Sequence, residues 1–165
     1  MDPAPQPFVT LADLMAKVGA FMFYWSSLEQ ALTEAITATR DRLGRPHSNV
    51  GGGLGERLDL WFALLSDLPE NLDKIGIARN VRHQALALRK VRNLIVHGLQ
   101  AGSSMSESGP AFIRCAVGGY EDPTGETVLY TIDQLEHFTQ GIDACRRAFR
   151  CLDNFNYRID LTNCP

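Results

Sequence analysis

Leu88-Arg89-Lys90-Val91-Arg92-Asn93-Leu94-Ile95-Val96-His97-Gly98 is the stretch on which the reading of this chain turns. At about 100° per residue, Leu88, Val91, Leu94, Ile95 and Leu99 are read on one arc of a helix, and Arg89, Arg92, Asn93 and His97 on the opposite arc. Asn93 and His97 are four residues apart and so neighbours. Arg92 and His97, roughly 140° apart around the axis, flank Asn93 in a shallow polar groove. Val96 and Leu86 fall within the same polar arc, so this face is expected to meet another protein surface. Gly98 is expected to stop the helix as a C-terminal cap.

Upstream, the same helix extends back to about Ile75, with Ile77, Val81, Ala85, Leu88, Val91 and Ile95 as its buried seam. A longer element runs from Leu11 to Arg42, where Val18, Phe21, Met22, Trp25, Leu28, Leu32, Ile36 and Thr39 keep the three-and-four spacing of an amphipathic helix. Glu29 lies inside that stripe, where an unpaired carboxylate would lose several kcal/mol of hydration. Two roles fit it, a catalytic carboxylate or an ion pair with Arg92 across the helix interface. The ion pair is favoured, because a fixed guanidinium both neutralises and hydrogen-bonds a carboxylate.

Between these helices, residues 44–55 combine breakers and glycines and read as a mobile connection. They lack the lysine and hydroxyl of a phosphate-binding P-loop. A helix from about Glu56 to Asp67 turns Leu58, Trp61, Phe62 and Leu65 inward, and Pro69 ends it. Past Gly98, the small polar loop 101–110 starts close enough to His97 to close over a site. Phe112–Val117 and Thr127–Tyr130 are rich in strand formers and flank Asp122-Pro123-Thr124-Gly125, which predicts a β-hairpin over 112–131. Asp133 and Glu136 predict a capping box for a last helix carrying Leu135, Phe138, Ile142, Cys145, Phe149 and Leu152 on one stripe. Periodic segments of this kind bury their stripes only against each other. The expected fold is therefore mainly α, an antiparallel helical bundle of four to five helices with one small β-hairpin before the C-terminal helix. One domain is expected over 1–165, with a Pro-rich tail at 1–8 and a C-terminal tail at 157–165.

A chain of 165 residues buries enough surface for a single core without disulfides. Cys115, Cys145, Cys151 and Cys164 have neither Cys-x-x-Cys nor Cys/His metal-ligand spacing and read as buried or idle thiols. His47 and His137 also lack ligand spacing, so no metal and no cofactor is expected. The first residues lack a basic region and an apolar core, and no apolar run is long enough to span a bilayer, which points to a cytoplasmic protein with no membrane partner. A formal charge of −3 argues against a broad electrostatic grip on duplex nucleic acid, so any such contact must be local. The basic run Arg79, Arg82, His83 and Arg89 reads first as a solvated helix face, with a secondary role in guiding an anionic ligand.

The spacing Arg92-Asn93-x-x-x-His97, near the end of a long helix, resembles the signature of the HEPN superfamily of helical domains. Trp25-Ser26-Ser27-Leu28-Glu29 is similar to the Trp-x-x-(aliphatic)-Glu stretch in the first helix of many such domains, and the order of helices covers most of the chain. The resemblance implies metal-independent cleavage of single-stranded RNA at a site assembled where two subunits of a homodimer bring their signature helices together. It also implies a toxin or defence role and a cognate nucleotidyltransferase-type antitoxin. On that reading Arg92 holds the phosphoryl oxygens, His97 acts as acid or base, Asn93 positions the phosphate or the imidazole, and Arg89 and Lys90 bind RNA. The alternative is a non-catalytic HEPN-like module in which Glu29, Arg92, Asn93 and His97 lock helices together.

Overall fold

The computed structural model of the protein describes residues 10–69, 73–99, 112–117 and 125–153. It contains α1 (Leu11–Arg42), α2 (Leu54–Ser66), α3 (Ile75–Gly98), β1 (Phe112–Ala116), β2 (Thr127–Thr131) and α4 (Ile132–Asp153). This is a mainly α bundle with one antiparallel hairpin before the last helix, as the periodicities imply. The loop 101–110, the hairpin turn at 122–124, the tails at 1–8 and 157–165, and Cys164 lie outside the described residues. Among those described, no helix is long and apolar enough to cross a membrane.

α1 starts on a reciprocal cap. The Thr10 hydroxyl accepts the Asp13 N–H at 3.1 Å, and the Asp13 carboxylate accepts the Thr10 N–H at 2.8 Å, so two otherwise orphaned donors are satisfied. The α1 seam, Leu14, Val18, Phe21, Trp25, Leu28, Leu32 and Ile36, is buried in one cluster with Leu58, Trp61 and Leu65 of α2 and Leu135, Ile142 and Phe149 of α4. Trp61 meets Phe149 edge-to-face with centroids 4.8 Å apart, which ties α2 to α4.

Helix directions follow from the pairs that bridge them. Lys17 bonds to Glu136 near one end of α1 and α4, and Arg150 lies 3.8 Å from Glu34 near the other, so these two helices run the same way. α3 runs antiparallel to both its neighbours: Arg82 reaches Asp59 at 2.7 Å while Arg89 abuts Gly55, and Cys145 faces the Val81 carbonyl while Gly141 faces Leu88. α1 packs on α4 and α2, and α3 packs on the same two helices from the other side. α1 and α3 therefore occupy opposite corners of the bundle.

The hairpin pairs Ile113 with Tyr130 and Cys115 with Val128, and buries Ile113, Cys115 and Tyr130. Tyr130 stacks edge-to-face on Phe138, and β1 is held against the end of α3 by a bridge between Leu99 and Cys115. Gly98 is the residue that permits this approach, since a Cβ there would collide with the Ala116 backbone. The expected role of Gly98 as the C-terminal cap is thereby corrected, although the helix does stop there. It is the last helical residue, Leu99 follows in extended conformation, and positive φ among the described residues is confined to Gly44 and Gly52.

Two further expectations change. The capping box of α4 is Thr131 with Gln134, whose backbone N–H groups exchange bonds of 3.2 and 2.9 Å with each other's side chains, and not Asp133 with Glu136. β2 delivers the chain directly into the helix, so the cap falls on the last strand residue, and Glu136 is left to pair with Lys17. Cys115 and Cys145 are buried free thiols, pushed up to about 11 and about 12 by that burial. Cys151 is buried but disulfide-bonded, so it is not the idle thiol that its spacing suggests.

Candidate functional site

α3 is chemically unlike the rest of the chain. It carries Arg79, Arg82, Arg89, Lys90 and Arg92 and no acidic residue, in a protein with 16 Lys and Arg against 19 Asp and Glu. With those five cations removed, the rest of the chain has 11 against 19, so α3 is a basic strip on an acidic body. Its buried residues are Ala78, Val81, Ala85, Leu88, Ile95 and Gly98. The outward face follows from that periodicity: Arg79, then Arg82 and His83, then Leu86, Arg89 and Lys90, Asn93, and finally Val96 and His97.

A groove of about 520 Å³ lies along this face. It is lined by Arg82, His83, Arg89 and Lys90, by the apolar Leu86 and Ala87, and by Asn93. Arg82 is engaged with Asp59. Arg89 and Lys90 are exposed and have no carboxylate partner among the described residues. Gly55 of α2 gives Arg89 its room, since a Cβ at that position would lie 3.0 Å from the guanidinium.

Arg92 is placed differently from the sequence expectation. It lies seven residues from Ala85, four from Leu88 and three from Ile95, all buried, so it belongs at the edge of the buried seam and not on the arc opposite it. Its side chain is half-buried, its Nε is buried without a hydrogen-bond partner, and Nη1 donates to Asn93 Oδ1 at 3.2 Å. The aliphatic stem leaves the seam and carries the charged end toward the polar face. Asn93 thus joins the two regions, touching Arg92 on one side and lining the groove on the other. His97 is exposed on the last turn of α3, one turn beyond Asn93, and does not line the groove.

The expected Glu29–Arg92 ion pair is not formed. Glu29 Oε1 accepts the Trp25 indole N–H at 3.1 Å and lies 3.5 Å from Arg57 Nη2, while Arg57 also donates to the Thr33 hydroxyl at 3.2 Å. The topology explains this, because Glu29 and Arg92 are on helices at opposite corners of the bundle. Residues 43–53 lead back along α1, so Arg57, in the first turns of α2, reaches Glu29 and Thr33 well before the α1 terminus. Arg57 is legible in one respect, being the only cation of α2. The groove residues Leu86 and Ala87 carry no chemical motif, and their part emerges only from the face that they share with the cations.

Comparison of the chain with family models, with curated proteins and with solved structures finds no match in any of the three.

Proposed function

We propose that the chain is a HEPN-like endoribonuclease that cuts single-stranded RNA without a metal ion at the C-terminal end of α3. The observation that carries this reading is the state of Arg92. Among the described residues its guanidinium has no carboxylate partner and bonds only to Asn93, so its charge is available to a phosphodiester. The nearby cations Arg89 and Lys90 likewise have no carboxylate partner among the described residues and would hold flanking phosphates. In the proposed reaction the 2′-hydroxyl oxygen attacks phosphorus and loses its proton to a base, the P–O5′ bond breaks, and the leaving oxygen takes up a proton. His97 serves as base or acid, Arg92 stabilises charge on the phosphoryl oxygens, and Asn93 positions the phosphate or the imidazole. Unpaired RNA is the substrate because its backbone reaches the in-line geometry that a duplex resists.

One protomer offers a single His97, whereas the reaction needs both a proton acceptor and a donor. A two-fold homodimer supplies two. Two α3 faces repel through their cations, so the proposed axis passes near Val96, 40% exposed, and His97, with the strip from Arg79 to Lys90 diverging on either side. A cytoplasmic location, which rests on the composition of the sequence, and a nucleotidyltransferase-type antitoxin, which rests on the family resemblance alone, belong to the same proposal.

A second reading draws on a specific observation, that Arg92 and His97 lie outside the groove. A non-catalytic module would bind its ligand along Arg82 to Asn93 and use Arg92 to brace Asn93. Incubation of end-labelled single-stranded RNA with the protein in excess chelator separates the two. The nuclease reading expects cutting by the wild type and none by His97→Ala. Binding without cutting by either protein would establish the module instead.

A further inference from the structure

We propose that the outer face of α3, upstream of Arg92 and His97, is a track along which a single nucleic-acid strand lies, with phosphates on Arg89, Lys90 and Arg79 and bases against Leu86 and Ala87. The inference rests on the RNA reading above and adds to it a second region, separate from the residues assigned to cleavage. Its basis is the alternation along the helix axis. Arg79 is followed one turn later by Arg82 and His83, then by Leu86 and Ala87, then by Arg89 and Lys90, then by Asn93, all on one face. From Arg79 to Asn93 this face extends about 21 Å at about 1.5 Å per residue. Charge and apolar surface thus follow each other in the way that a polymer with an anionic backbone and flat, weakly polar bases requires.

Charge complementarity narrows the occupant. Arg82 is partly neutralised by Asp59, whereas Arg79, Arg89 and Lys90 have no carboxylate partner among the described residues. The helix carries five cations and no acidic residue, against 11 cations and 19 anions in the rest of the chain, so an anionic ligand is drawn to the strip in preference to the chain as a whole. A strip one helix wide suits a single strand. A duplex is gripped by a broad basic face, which the five cations of a single helix do not supply. An acidic peptide satisfies the cations but has no flat apolar group to place on Leu86 and Ala87. The lining of the groove has no Phe, Tyr or Trp and its one ring is the imidazole of His83, so the phosphate contacts dominate and binding is salt-dependent.

The test is fluorescence anisotropy with a 5′-labelled oligouridylate, in chelator, over a series of potassium chloride concentrations. It uses the His97→Ala chain so that cutting does not distort the binding curve. Adding Arg89→Gln and Lys90→Gln together should weaken binding and reduce the slope of log K against log salt by about 0.7 for each phosphate no longer neutralised, or about 1.4 for the pair. Leu86→Gln should weaken binding several-fold and leave the slope unchanged, because it removes apolar surface beneath a base and no charge. Circular dichroism checks that each variant remains helical. An unchanged slope in the Arg89 and Lys90 variant, equal affinity for duplex RNA, or displacement by polyglutamate as readily as by oligouridylate would each overturn the track. The two readings fail separately. If the wild-type chain cuts RNA but the slope ignores Arg89 and Lys90, the track is wrong and the nuclease stands. If nothing is cut but the slope responds as expected, the nuclease is wrong and the track stands.

Discussion

Glu29 is paired with Arg57, not with Arg92: its Oε1 lies 3.5 Å from Arg57 Nη2 and accepts the Trp25 indole N–H at 3.1 Å. The two charges that their apolar stripes would bring together are held on helices at opposite corners of the bundle. Each consequently answers to different neighbours, and Arg92 has no carboxylate partner among the described residues.

The first prediction is that Glu29→Gln leaves RNA cleavage intact and costs little stability. The Glu29 side chain is 39% exposed, so the pair is partly screened and the loss should be about 0.5–1 kcal/mol by urea denaturation. Arg57 is the more buried partner at 15%, and its Nε is already unsatisfied. Arg57→Ala should therefore cost more than Glu29→Gln, through lost packing of its stem and a stranded carboxylate. Loss of cleavage in a folded Glu29→Gln protein would place Glu29 in the site after all.

Gly98→Ala should be harmful out of proportion to one methyl group. The added Cβ would press on the Ala116 backbone, which cannot rotate away as a side chain would, so β1 must shift from the end of α3. Overpacking of this kind costs about 1–3 kcal/mol. Because β1 is bridged to Leu99, two residues after His97, the shift should also disturb His97. The expected outcome is a lowered denaturation midpoint together with changed amide chemical shifts at Cys115 and His97. A midpoint equal to that of the wild type would show that the approach is looser than described.

The secondary-structure pattern is legible in the sequence because it is written in periodicity. α1 begins at Leu11 and ends at Arg42 where its spacing predicts, and the buried set Val81, Ala85, Leu88 and Ile95 of α3 matches its seam. The pairing of helices is not legible, since an apolar stripe states that it must be covered but not by which partner. That ambiguity is what lets Glu29 and Arg92 read as neighbours. The place of Arg92 is obscured for a related reason. An arginine among other polar residues reads as part of their arc, although its spacing from Leu88 and Ile95 puts it at the edge of the seam, where only its long stem allows the charge to escape. The α4 cap is ambiguous because Thr131 with Gln134 and Asp133 with Glu136 both fit a reciprocal box. The strand end chooses between them.

The start of α1 should loosen in acid. Hydrogen bonds from the Thr10 hydroxyl, and then from the Thr10 N–H, hold the Asp13 carboxyl below its ordinary value. A carboxylate lowered in the folded state contributes stability that is fully present above its unfolded value and is lost as the pH falls through the folded one. Amide exchange at Asp13 and Leu14 should accelerate as the pH drops below the ordinary aspartate range, once corrected for intrinsic exchange. Asp13→Asn should abolish that pH dependence, and a dependence that persists in this variant would assign it to another group.

The central claim, that Arg92 stabilises phosphoryl charge and His97 transfers a proton during metal-independent RNA cleavage, is tested most directly by the chemistry of the product ends. Single-stranded RNA cut by the wild-type protein in excess chelator should carry a 2′,3′-cyclic phosphate on the upstream fragment and a 5′-hydroxyl on the downstream one, as read by mass spectrometry. Arg92→Ala and His97→Ala should each abolish both products while the helical circular dichroism survives. A 5′-phosphate product, strict dependence on magnesium, or unchanged cutting by His97→Ala would contradict the account.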